Sequence, residues 1–330
     1  MGSHICDQLL GLGYRVRGIS RNKHRSAWLV NLLQERHRNG RFEIVEVPDF
    51  SADGAFDAAV EGARGVVHTA ADTSLDLNPH KVVPKMVSAA LGIARAAAEI
   101  PSCTRFVFTS SSSAVADPAP GVIRELTRDT YNEETVVAAF SPSLRQDIVG
   151  GHTVYAAGKV KTEQALWEWY RKENPHFVMN SVLPSPCFGE VLDPTHQGFS
   201  AASGVLKMLF DGSASEAVVK SFESQWFCDV QDVAALHVGA LLLTEVKSER
   251  LFAFAGGFTV NDFLRIFRNL EPGRKFPEYV QDVRPDMTKV PNERATEVLR
   301  LVGLPGWKGL EDCLRPLARQ FAAASEQHAH

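Results

Sequence analysis

Residues 105–115 read RFVFTSSSSAV, an apolar half followed by a run of hydroxyls. Arg105–Phe108 is made of residues that favour a buried strand. It breaks off at Thr109-Ser110-Ser111-Ser112-Ser113, which suits a strand end open to a ligand or to water. Downstream, Tyr155-Ala-Ala-Gly-Lys159 opens a segment, Tyr155–Lys172, with the length and composition of a long helix. Strand, polar edge, then helix is the order in which an open parallel sheet brings side chains to the carboxyl ends of its strands, where ligands bind.

The same alternation extends in both directions. Tyr14–Ile19, Phe42–Val47 and Gly65–His68 read as strands, with helices expected over Ala27–Arg36, Phe56–Val60 and Val82–Ile100. A fifth strand, Phe177–Leu183, is closed by Pro184, and Asp117–Gly151 reads as loop. This predicts an α/β fold, a Rossmann-like doubly wound parallel sheet with helices on both faces, over residues 1–184. From Ser185 the rhythm loosens. Gln225–Asp229 and Leu251–Ala255 read as strands, and Val233–Leu243 as a helix with Asp232 at its N-cap. Asn261 or Asp262 is expected to cap a helix that ends before Pro272; Leu310–Ala323 reads as an amphipathic helix before a frayed EQHAH end. Residues 224–256 are expected to return to the first domain, leaving 185–223 and 257–330 as a smaller C-terminal substrate-binding region.

Composition sets outer bounds. The 330 residues are 45% hydrophobic and 22% charged, with ample material for a core. A formal charge of -4 gives no reason to expect a nucleic-acid partner. The five cysteines, Cys6, Cys103, Cys187, Cys228 and Cys313, include no CxxC pair, and the histidines lack metal-ligand spacing, so no metal site is expected. Ala234–Leu243 is apolar but too short to span a membrane and contains His237. With no signal peptide at the start, the expectation is a cytoplasmic protein that does not associate with membranes.

Tyr155 and Lys159 lie one turn apart on one helix face. A neighbouring ammonium favours the phenolate, which makes the tyrosine a usable acid or base near neutral pH. A serine at the preceding strand end can hydrogen-bond the same oxygen. Read singly, the serine run is a solvated loop and the tyrosine–lysine spacing a coincidence; read together and in this order, they form a site. A second feature, Arg21-Asn22-Lys23-His24-Arg25, follows the first strand and contains no acid. In a dinucleotide-binding sheet an acid there would hold a ribose 2′-hydroxyl, whereas arginine suits a 2′-phosphate. A solvated basic turn is the plainer alternative. Asp49-Phe50 and His68-Thr69-Ala70-Ala71 follow the next two strands, and neither GxSxG nor a P-loop occurs.

These residues, with SHICDQLLGLGYRVRG (3–18), GVVHTAA (65–71), LPSPCFG (183–189) and WFCDVQDVAALH (226–237), resemble the extended short-chain dehydrogenase/reductase superfamily. The nearest likeness is to its dihydroflavonol, cinnamoyl-CoA and aldehyde or methylglyoxal reductase branch, in the wider epimerase/dehydratase group. The resemblance implies Tyr155 as proton donor, Lys159 as its activator and a ligand of the nicotinamide ribose, and Ser111 as the polarising serine, with Ser110 or Ser112 in its place if the loop shifts. It implies Arg21 with Lys23 at a 2′-phosphate, Asp49 and Phe50 at the adenine, and Ala70 and Ala71 along the cofactor. Gly2 stands at the end of the glycine turn, Pro184 near the nicotinamide, and Ser112, Tyr131, Cys187 and Phe188 toward the substrate.

Two departures stand out. Tyr131–Val136 lies where this branch often carries an acidic pair followed by Trp, so Val136 changes the pocket wall. The family also begins with a strand and a TGxxGxxG turn, of which only Gly2 remains here. Three explanations compete: a longer natural protein, a different segment filling the slot, or loss of dinucleotide binding. The first is favoured, because a missing central strand would leave buried backbone groups unpaired. The functional expectation is an NADPH-dependent (in preference to NAD-dependent) reductase of a small aldehyde or ketone, monomeric or homodimeric. Alternatives are a cofactor-free isomerase, cyclase or binding protein of this fold, or a steroid or sugar-nucleotide dehydrogenase or epimerase.

Overall fold

Helices and strands alternate from the first residues of the computed structural model, which describes residues 1–38, 40–220 and 222–327. In chain order these are α1 (Gly2–Gly11), β1 (Val16–Ser20), α2 (Ala27–Arg36), β2 (Phe42–Glu46), α3 (Asp57–Val60), β3 (Gly65–His68), α4 (Pro79–Ala98), β4 (Arg105–Thr109), α5 (Glu133–Ala139), α6 (Ile148–Glu173) and β5 (Val178–Pro184). There follow β6 (Cys187–Phe188), α7 (Pro194–Gln197), α8 (Ala201–Phe210), α9 (Glu216–Lys220), β7 (Gln225–Asp229), α10 (Val230–Leu242), β8 (Arg250–Ala253), β9 (Gly256–Phe258), α11 (Val260–Leu270), α12 (Glu293–Leu301) and α13 (Leu310–Gln327). The last residues of the expected frayed end, His328-Ala329-His330, lie outside the described residues.

Residues 1–117, 129–183 and 234–251 make the first of two units. Its larger sheet has the order β3-β4-β5-β8, with β3, β4 and β5 parallel. Phe106, Val107, Phe108 and Thr109 of β4 are all buried, because helices cover both faces. One face carries Ile93, Ala94 and Ala97 of α4 with Phe106, Phe177 and Met179. The helical spacing of Val82, Val83, Met86, Ala90 and Ile93 explains why α4 buries one stripe.

A smaller parallel sheet pairs β1 with β2, from Val16↔Phe42 to Ser20↔Glu46. Val16 N–H donates to Arg41 O and Val47 N–H to Ser20 O, so the even-numbered residues of β1 face β2. Arg17 and Ile19 therefore turn their backbone groups the other way. Thr104 N–H donates to Arg64 O, and by the same alternation Gly65 and Val67 of β3 turn theirs away from β4. Among the described residues no ladder joins β1 to β3. Side chains bridge them instead: Val16 and Val67 pack into one cluster with Ile5 and Leu9 of α1 and Ala234 and Val238 of α10.

The second unit comprises residues 118–128, 184–233 and 252–330. Its sheet runs β6-β7-β9, with β6 and β7 parallel and β9 antiparallel. Its core is aromatic, built on Phe188, Phe210, Phe258, Phe263, Phe267 and Phe321. Bridges at Pro120↔Asp286 and Glu125↔Lys289 tie residues 118–128 into it.

Two expected caps fall to other residues. Strand β7 runs straight into α10, so Asp229 holds the helix start, accepting from Gln231 N–H at 2.8 Å. Asp232 sits in the first turn instead and accepts from Lys308 N–H at 2.7 Å. Helix α11 starts after Thr259, whose N–H and hydroxyl both donate to Asp262. The stretch expected to be loop between Asp117 and Gly151 contains α5, capped by Asn132, whose Oδ1 accepts from Thr135 N–H at 3.2 Å.

Candidate active site

The long helix α6 packs closely on α4 and reaches the end of β4 through Lys159. A Cβ on Gly158 would stand 2.5 Å from Met86 Sδ, so the glycine lets α6 pack on α4 without displacing that side chain. This brings Lys159, 2% exposed, under the strand end, where its Nζ donates to Thr109 O at 2.8 Å. The same Nζ lies 5.9 Å from the centroid of the half-buried Tyr155 ring. Burial lowers the Lys159 ammonium to about 8, against the opposing pull of the Glu163 carboxylate. At neutral pH the group is still mainly charged, beside the tyrosine one turn away.

The serine run divides into distinct roles. Ser110 Oγ donates to Glu163 at 2.8 Å inside the core. Ser111, 9% exposed, accepts from Ser113 N–H at 3.2 Å and from Ser113 Oγ at 2.9 Å. Ser112 is half-buried at the start of a single 3-10 turn. Asn132 Nδ2 fastens this turn, donating to Ser113 O at 3.2 Å and to Asp117 Oδ1 at 3.0 Å. Thr109 Oγ1 and His237 Nε2 share a buried hydrogen bond of 2.7 Å. His68, also buried, is held neutral: burial, then the Lys159 charge, lowers it to about 3.

The positions expected at a cofactor lie around the ends of β1, β2 and β3. Gly2 is the first residue of α1, and a Cβ there would be 3.4 Å from Thr69 Oγ1. Arg21, Lys23 and Arg25 are exposed just after β1 and make no ion pair among the described residues. Lys23 is oriented through its N–H, which donates to Glu46 Oε2 at 2.7 Å. Asp49 accepts from the hydroxyl and N–H of Ser51, which draws its carboxyl below the usual range. Phe50 leans on Phe56 with ring centroids 5.4 Å apart, and Ala71 packs on the Val82–Met86–Val154 cluster. Ala70 is half-buried. Unpaired cations at one strand end, helix amides at the next and small side chains between them suit the phosphates and riboses of a dinucleotide.

Of the residues expected toward the substrate, Tyr131 is stacked under Arg250, whose Cζ is 4.0 Å from the ring centroid. Burial, reinforced by Glu163, pushes its phenol up to about 12. Val136 packs against the Met86 and Ala139 cluster. Pro184, Cys187 and Phe188 belong to the second unit. Pro184 is buried at the end of β5; Phe188 is 4% exposed, edge-on to Phe258 and Phe263. Cys187 Sγ is 3.4 Å from Cys228 Sγ, and all five thiols are free. Among the described residues no cluster of His, Cys, Asp or Glu could hold a metal ion, and no helix is long and apolar enough to cross a membrane.

Sequence reasoning missed Glu163, Arg250 and His237. Glu163 left a signal in hindsight, since it follows Lys159 by one turn and Tyr155 by two on the same helix face. Arg250 and His237 come from distant parts of the chain and left none.

Comparison with known proteins places the chain among relatives of the same fold. The model of the NAD dependent epimerase/dehydratase family matches residues 1–251. The chain is 38% identical to the NAD-dependent epimerase/dehydratase terH of Aspergillus terreus, over 94% of this chain and 91% of that protein. It is 34% identical to aldehyde reductase 2 of Sporidiobolus salmonicolor, over 96% of this chain and 92% of that one. In fold it superposes on yeast methylglyoxal/isovaleraldehyde reductase complexed with NADPH, with a TM-score of 0.81 at 21% identity, covering 98% of this chain and 96% of the other.

Proposed function

The chain belongs to the NAD dependent epimerase/dehydratase family, and we propose that it is an NADPH-dependent reductase of an aldehyde or ketone on a small molecule. The observation that carries this reading is Lys159 Nζ bonded to Thr109 O at the end of β4, two residues before Ser111, with the centroid of the Tyr155 ring 5.9 Å from the same nitrogen. The similarity to an aldehyde reductase supports the carbonyl substrate. The unpaired cations Arg21 and Lys23, with no acid beside them after β1, favour a 2′-phosphate and hence NADPH.

When bound, the nicotinamide supplies a hydride to the carbonyl carbon. The chain's own residues handle the oxygen. Two donors from Ser113 already occupy lone pairs of Ser111 Oγ, which leaves the Ser111 proton to be donated to the carbonyl oxygen. Tyr155 Oη gives that oxygen its proton as charge develops on it, and the Lys159 ammonium stabilises the phenolate left behind. Ser110, committed to Glu163, is turned away from this role. Neutral His68 adds no charge that would compete with the ammonium.

The test is direct. Purified protein is mixed with NADPH and a panel of aliphatic and aromatic aldehydes and ketones, and loss of NADPH absorbance is followed. Turnover with at least one class, abolished in Tyr155→Phe, is expected. Absence of both turnover and NADPH binding by fluorescence would overturn the reading.

A further inference from the structure

Beneath the Ser–Tyr–Lys group lies a charged cluster that the reaction scheme does not use. Glu163, fully buried, accepts four hydrogen bonds. Ser110 Oγ donates to its Oε2 at 2.8 Å and Ser181 Oγ to its Oε1 at 2.7 Å. Arg250 closes on both oxygens, Nε to Oε1 at 2.9 Å and Nη2 to Oε2 at 3.1 Å. The remaining arm of the guanidinium, Nη1, donates to Thr130 O at 2.9 Å while its plane covers Tyr131.

We propose that Glu163, clamped by Arg250, is a positioning residue for the reaction: it ties the end of β4 to helix α6, and so sets Ser111 against Tyr155 and Lys159. This rests on the reductase reading above. Three features support it. First, the carboxylate grips the residue immediately before Ser111, and the helix that carries it also carries Tyr155 and Lys159, so one rigid element sets all three groups. Second, Ser181, in the middle of β5, is Phe108's partner in the ladder, so the cluster ties β5 to the carboxyl end of β4. Third, a buried ion pair is seldom a net gain over apolar side chains of the same volume, so stability alone does not account for four bonds converging here. Through Thr130 and Tyr131, the same clamp also reaches the segment that opens α5.

A paired substitution separates positioning from packing. In Glu163→Leu with Arg250→Met, the two charges leave together and the volume stays close to native. Expected are a melting temperature near the parent's and an NADPH Kd within about threefold, but a kcat lower by about 10–100-fold with KM little changed, the scale of a misplaced reacting group. A crystal structure of the variant should show Lys159 Nζ out of hydrogen-bond reach of Thr109 O. Parental kcat, or an unmoved strand end, would overturn the proposal. Should the pair fail to fold, Ser110→Ala decides: a lowered kcat at unchanged melting temperature supports positioning, and a parental kcat overturns it. Failure of the reductase reading is seen separately, as absence of both turnover and NADPH binding in the parent protein; the Lys159–Thr109 distance in the variant then settles the positioning role by itself.

Discussion

Lys159 Nζ donates to the carbonyl of Thr109 at 2.8 Å, a buried charged bond between the middle of α6 and the last residue of β4. It ties the helix to the end of the strand, and with it Tyr155, one turn earlier on the same helix.

On the proposed mechanism, replacing Tyr155 by Phe removes the proton donor and leaves the ring. Turnover should fall by about 10²–10⁴-fold while NADPH affinity stays near the parental value. Steady-state kinetics with a fluorescence titration of the cofactor checks both halves.

The Lys159 value of about 8 has consequences of opposite sign for rate and stability. If the ammonium supports the phenolate as proposed, kcat/KM should decline as pH rises through about 8. An unfolded lysine keeps its proton to about 10.4, so between these values the unfolded chain binds more protons and this group's contribution to stability rises with pH. A falling rate with an unchanged or rising urea midpoint across that window is the expected pair of results.

Arg21→Ala should raise KM for NADPH by roughly ten- to a hundredfold, the worth of one or two charged hydrogen bonds. KM for NADH should hardly move. Equal losses with both cofactors would place Arg21 away from the 2′-phosphate.

Gly150 and Gly151 let the segment around Arg145 and the turn at Leu75 lie against the first turn of α6. A Cβ on Gly150 would meet Arg145 O at 1.8 Å, and one on Gly151 would meet Leu75 O at 2.5 Å. Backbone cannot yield as a side chain does. Either Gly→Ala change should cost about 1–3 kcal/mol, read as a lowered urea midpoint.

The elements that sequence shows well are those whose own residues carry the pattern. Ala27–Arg36 and Gly65–His68 stand at the expected bounds, because leucine spacing in one and continuous β-favouring residues in the other are local signals. The short α5, α7, α9 and α12 were hidden, being too brief for periodicity to show and fixed by what they pack on. In the site, Tyr155 and Lys159 were legible as a helical pair. Sequence leaves Ser110, Ser111 and Ser112 as alternatives, and only the fold shows that Ser110 is bonded to Glu163. Glu163 shares a helix face with Tyr155 and Lys159, but its burial is explained only by partners from other elements, Ser110, Ser181 and Arg250 of the neighbouring strand β8.

The separation of the β1–β2 ladder from the four-stranded sheet makes the two halves of the first unit unequal in how they open. With no interstrand bond from β1 to β3 among the described residues, the amides of Arg17, Ile19, Gly65 and Val67 lack the ladder partners that protect Phe106 and Val107 on both sides. In native-state hydrogen exchange those four should lose their label early and the β4 amides only on global unfolding. The ribbon that leads into Arg21 would then breathe as a small cooperative block, while the strand that leads into Ser111 stays closed.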